Sequence, residues 1–144
     1  MDSAPASAGP YVPPTFQGWI YNYFGFNPSP TVAGDTATPA GDGVPNLIKY
    51  ALGLNPMVGC SGTSQGMPST QVAASDSNGY LALTFSGTAT GVAYIVEATC
   101  NLTSGWNPLQ TWPVGSPPGT VTVTDTAAIS CTPERFIRLR VTRP

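Results

Sequence analysis

Asp42 and Asn46 are the residues whose types and spacing point most directly to a chemistry, that of calcium. A loop holding this ion carries oxygen side chains at positions 1, 3, 5, 9 and 12, around a glycine at position 6 where the chain turns sharply. With Gly43 as that turn, Asp42 stands at position 5 and Asn46 at position 9. Positions 1, 3 and 12 are Thr38, Ala40 and Lys49, so two good ligands remain and the closing carboxylate has become a cation. A divalent ion held by one carboxylate and facing a lysine binds weakly. The expectation is therefore a loop kept as architecture, with no cofactor; calcium is possible there but not favoured.

Other chemistry is sparse. The chain has no histidine, which removes the commonest general base and transition-metal ligand. Its seven acids are Asp2, Asp35, Asp42, Asp76, Glu97, Asp125 and Glu134. Glu97 and Asp125 could be drawn as a glycosidase pair, but a solvated strand face or an arginine partner is the plainer account. No phosphate loop, dinucleotide fingerprint or G-x-S-x-G occurs, and Lys49 has no serine nucleophile motif near it. The chain is not expected to be an enzyme.

Binding chemistry has more candidates. Trp106 and Trp112, with Tyr80 and Tyr94, could stack on sugar rings; Trp106 could equally anchor a loop to the core. Asn101-Leu102-Thr103 satisfies the glycosylation sequon at Asn101. All four arginines, Arg135, Arg138, Arg140 and Arg143, lie in the last ten residues. They fit either an anion-binding patch or a charged outer strand face, paired with Glu97 and Glu134, that discourages edge pairing. Of Cys60, Cys100 and Cys131, the preferred disulfide is Cys100–Cys131, with three separate thiols as the alternative.

The segment Gly34 to Pro56, GDTATPAGDGVPNLIKYALGLNP, also carries a family resemblance. With Gly41, Asp42, Gly43, Asn46, Leu47, Tyr50 to Gly53 and Pro56, then Tyr94 to Glu97, Leu102, Trp106 and Arg135 to Val141, the chain resembles the C-terminal region of many large secreted or surface proteins of Verrucomicrobia and Planctomycetes. The loop is also similar to thrombospondin type 3 and dockerin-like calcium repeats. This resemblance implies an extracellular, non-catalytic module. Those relatives have acids where this chain has Ala40 and Lys49, so calcium does not carry over.

These residues must be positioned by a chain of 144 residues, enough for one domain with a real core. Only 8% of residues are charged, against about 25% in an ordinary soluble domain, while 41% are hydrophobic, which argues against global disorder. Gly and Pro number 16 each. A surface so poor in charge permits association, and a net charge of −2 gives no field to attract nucleic acid. No run is long enough to span a bilayer, and the residues after Met1 do not form a signal peptide, so a secreted form would be a mature product, a fragment or an incomplete reading frame.

The expected fold is α+β, mainly β. Residues 1–14 are an extended Pro/Ala-rich arm, with Pro10, Tyr11 and Val12 available to contact a neighbour. Residues 15–56 form two short helices joined by the calcium-loop-like segment. The first helix has Phe16, Trp19, Ile20, Tyr23 and Phe24 as its apolar stripe and stops at Gly25, beyond which Pro28 and Pro30 prevent resumption. Residues 57–69 are a linker. Residues 70–144 form an antiparallel β-sandwich of about six to seven strands, in which the runs 81–85 and 92–96 make a hairpin around Gly87-Thr88-Ala89-Thr90.

The functional expectation is a structural protein of the cell surface or extracellular space, a self-associating surface or filament subunit acting as a homo-oligomer or polymer. The alternative is a carbohydrate-binding accessory domain of a larger secreted enzyme, with surface glycans as partners.

Overall fold

A computed structural model describes residues 15–60, 66–74, 79–103, 105–129 and 134–144, with the side chain of Ala74 excepted. The arm residues Pro10, Tyr11 and Val12, and Cys131, lie outside the described residues.

The first helix, α1, spans Phe16–Phe24. Thr15 caps it by accepting from the Gly18 N–H, and Gly25 ends it at φ 78°, a left-handed conformation that glycine adopts without strain. Phe16, Trp19 and Ile20 are buried, as the periodicity predicts, but the last turn of the expected stripe is not: Phe24 is half-buried and Tyr23 is exposed. A helix absent from the sequence reading follows: α2, Pro30–Ala33, a single turn with Ser29 as N-cap and Pro30 at its first position. Here proline starts a helix instead of blocking one, because its missing N–H is not needed in the first turn. The third helix, α3, spans Asn46–Leu52 and closes on Gly53 at φ 72°, where Leu54 N–H bonds back to Lys49 O. Tyr50 of α3 meets the rings of Phe16 and Trp19 edge-on at 5.5 and 5.7 Å, which locks α3 to α1.

Among the described residues six strands follow: β1 Ser69–Ala74, β2 Gly79–Gly87, β3 Ala93–Thr99, β4 Asn107–Trp112, β5 Gly119–Ala128 and β6 Phe136–Thr142. They make two three-stranded antiparallel sheets, ordered β1-β2-β5 and β4-β3-β6. The fold is thus α+β and mainly β, with three short helices among the described residues where two were expected.

The expected hairpin of 81–85 with 92–96 does not form. These runs are β2 and β3, which lie in different sheets. Alternation decides which face of a strand is buried, not which strand lies beside it. Leu83 and Phe85 of β2 instead share a core with Tyr94 and Val96 of β3, Val123 of β5 and Val141 of β6. Phe85 stacks on Tyr94 at 5.8 Å and meets Trp112 edge-on at 5.7 Å, which ties the sheets together. Tyr94 is fully buried, and its hydroxyl donates to Ala51 O at 2.7 Å and accepts from Ala89 N at 2.9 Å. One phenol thereby joins α3, the β2–β3 turn and the second sheet.

Candidate functional site

The calcium-like loop is built by two glycines in left-handed conformation, Gly41 at φ 68° and Gly43 at φ 76°, which fold the chain around Asp42. Asp42 Oδ1 accepts from Val44 N–H at 3.0 Å, and Oδ2 accepts from Cys60 N–H at 2.8 Å. The ammonium of Lys49 arrives from α3 and lies 2.7 Å from Oδ2, with Lys49 fully buried and Asp42 7% exposed. Its remaining donors face Val58 O at 2.9 Å and Pro56 O at 3.4 Å. All of these ligands are oxygen, the set that a hard cation prefers. Lys49 supplies the positive charge itself. The Lys49 hydrogen bond and these backbone amides hold the Asp42 carboxyl well below the usual carboxylate range.

Asn46 is fully buried but does not face this seat as a ligand. Its Nδ2 donates to Val32 O at 2.8 Å and Gly34 O at 3.1 Å, stitching α2 to α3, while its buried Oδ1 has no hydrogen-bond partner. Asp42 and Asn46 are therefore close in sequence and serve different contacts. Among the described residues, no group of three or more Cys, Asp or Glu could gather around an ion.

Asp125, Asp35 and Glu97 are equally committed. Asp125, buried in β5, takes a bidentate bond from Arg135 and accepts from the amides of Thr126 and Ala127. Burial pushes its carboxyl up, but Arg135 and the amides outweigh that, and the net shift is downward. Asp35 forms a bidentate pair with Arg143 at 2.7 and 2.9 Å. This pair lies in a groove of about 470 Å³ beside α1, lined also by Phe16, Ile20, Phe26 and Pro30. The two charges of the groove thus satisfy each other. Glu97 and Asp125, the conceivable glycosidase pair, have separate arginine partners and do not converge.

The tryptophans part company. Trp112 turns inward against Phe85, whereas Trp106 lies on the opposite face of its sheet, beneath the Arg138 guanidinium at 3.9 Å. Tyr94 is in the core. Asn101 sits in an exposed loop, where its Oδ1 accepts from Thr103 N–H and the Thr103 hydroxyl. Cys60 and Cys100 are free thiols; a pairing of Cys100 with Cys131 falls outside the described residues. No helix among the described residues is long and apolar enough to cross a membrane.

Sequence reasoning placed Lys49 against the loop but missed that its ammonium fills the seat. A signal was present in the spacing: Lys49 stands at position 12 of the loop, the position from which the closing carboxylate of a calcium loop reaches the ion. Compared with protein-family models, with curated proteins and with solved structures, the chain matches none.

Proposed function

We propose that this chain is a non-catalytic, self-associating structural module of an extracellular surface, filament or layer. The observation that carries the reading is strand β1, Ser-Thr-Gln-Val-Ala-Ala, which lies at an edge of its sheet with no charged residue and with Val72 62% exposed. Protein sheets commonly protect such edges with lysine, proline or a bulge, and an unprotected edge pairs with another strand. The commitment of Asp35, Asp42, Glu97 and Asp125 to cations supports the absence of catalysis, since none is held ready to move a proton. In this reading the two sheets are the halves of a β-sandwich, and the N-terminal arm contacts a neighbouring subunit. The alternative, a carbohydrate-binding accessory domain that stacks sugars on Trp106 and Trp112, draws less support because these rings lie on opposite faces of one sheet.

Light scattering across a wide concentration range, with electron microscopy of the same samples, tests this. Oligomers or filaments should form and should dissolve in Val72→Lys, which places a charge on the edge. A folded monomer at the highest concentration, unchanged by that substitution, contradicts the proposal.

A further inference from the structure

We infer that the outer face of the β3–β6 pair is a seat for the carboxylate groups of an acidic, uronate-bearing polysaccharide, formed by Arg138 and Arg140 on Glu97. The inference is independent of self-association. It begins with how the charges are matched. Asp35, Asp42 and Asp125 are each paired with a single cation, Arg143, Lys49 and Arg135 respectively. Glu97 is shared by two guanidiniums. Among the ion pairs of the described residues, this is the place where cations outnumber carboxylates, on a chain whose net charge is −2.

The register explains the convergence. Glu97 lies directly across from Arg138, and Ile95 across from Arg140, so both arginines rise on the face that carries Glu97. They are two residues apart on one strand, about 7 Å along it. The Glu97 carboxylate is almost completely buried between them. Its Oε2 accepts from Arg138 Nε at 2.7 Å and Nη2 at 2.6 Å, and from Arg140 Nε at 3.1 Å. Trp106 supports the Arg138 plane from the other side at 3.9 Å. The guanidiniums are thus fixed at their inner ends, while 46% of Arg138 and 44% of Arg140 is open to solvent. Arg140 engages Glu97 through Nε, which leaves its two terminal nitrogens free of that carboxylate. A planar oxyanion is the group such a fork binds, through paired charge-assisted hydrogen bonds.

The surroundings select a glycan over a peptide strand. β3 is hydrogen-bonded on both sides, to β4 and to β6, and β6, at the sheet edge, carries Arg138 and Arg140, charges of the kind that discourage pairing with an incoming strand. Recognition rests on side chains: the two guanidiniums, and the exposed Thr111 hydroxyl in the same cross-strand row as Arg140. A uronate sugar presents a carboxylate beside hydroxyl groups and matches that set.

Calorimetric titration with oligogalacturonate, a matched neutral oligosaccharide and polyglutamate tests the inference. Wild-type protein should bind oligogalacturonate, bind it less as salt rises, and bind the other two at least about tenfold more weakly. Arg140→Gln should lower oligogalacturonate affinity about tenfold or more with the melting temperature held near wild type, and Arg140→Lys should restore part of it. Arg138→Gln, which also loses the Trp106 stack, should show the same loss. Unchanged affinity in a folded Arg140→Gln protein overturns the seat. Equal binding of polyglutamate overturns the glycan assignment in favour of an acidic peptide, and no binding of oligogalacturonate at low salt overturns it altogether.

Discussion

The ammonium of Lys49 and the carboxylate of Asp42 meet at 2.7 Å inside a loop shaped like a calcium site, with the lysine wholly buried. The backbone turns on Gly41 and Gly43, the loop carbonyls of Pro56 and Val58 point inward, and a side chain from α3 supplies the charge an ion would bring. The loop is thus ordered by covalently attached charge. Its stability is accordingly expected to be independent of ion concentration, unlike that of a binding equilibrium.

Chelator and millimolar calcium should both leave the melting temperature of the wild-type protein unchanged. Lys49→Met should lower it by several degrees, because the carboxylate is then buried against carbonyls without a cation. Lys49→Glu should become calcium-responsive, since it returns a carboxylate to position 12 of the loop. Differential scanning calorimetry with and without calcium checks all three; a wild-type protein that melts several degrees higher in calcium contradicts the seat described here.

Acid should weaken the protein through this pair. The folded-state pKa of Asp42 is depressed, so its contribution is complete above the ordinary carboxylate value and is lost as pH falls toward the folded value. Denaturant midpoints measured from pH 5 down to pH 2 should fall steeply in the wild type. They should fall less in Asp42→Asn, which has no carboxylate to protonate at this site.

At alkaline pH the sensitive group is Tyr94. Burial is the main cause that pushes its phenol from 10.0 up to about 12. Its contribution is complete below the unfolded value and is lost as pH rises from about 10 to about 12. Tyr94→Phe should flatten stability over that window. At neutral pH it should cost about 1–3 kcal/mol, because Ala51 O and Ala89 N lose a buried partner.

Gly87→Ala should destabilise by about 1–3 kcal/mol. A Cβ there would lie 2.7 Å from Cε1 and 2.8 Å from Cζ of Tyr94, a ring whose hydroxyl is already fixed by α3 and by the β2–β3 turn. Urea titration of the variant measures the effect; an unchanged midpoint would show that the ring can move aside.

Much of this fold was legible because local patterns agreed with it. The buried half of the α1 stripe, Phe16, Trp19 and Ile20, and the stop at Gly25 read directly from the residues. Pairing was harder. The runs of β2 and β3 looked like hairpin neighbours because a short turn joins them, yet long-range pairing of β2 with β5 and of β3 with β6 prevailed. The α2 turn was missed because Pro28 and Pro30 were read only as helix breakers. At the site, Asp42 was found through loop spacing; pairing of the arginines with Glu97 was one of two readings of the cluster, and that Arg138 and Arg140 both reach this carboxylate follows from cross-strand register. Arg135 was grouped with the other arginines but belongs to Asp125.

Arg143 also closes the described body. Its guanidinium lies 4.9 Å from the centre of the Phe16 ring while it holds Asp35, a residue 108 positions away. The polypeptide therefore enters and leaves this body at neighbouring points on one pole. Traction applied between Phe16 and Arg143 would load that clasp and spare the strand ladders, so the folded unit would hang beside a stretched chain instead of lengthening within it.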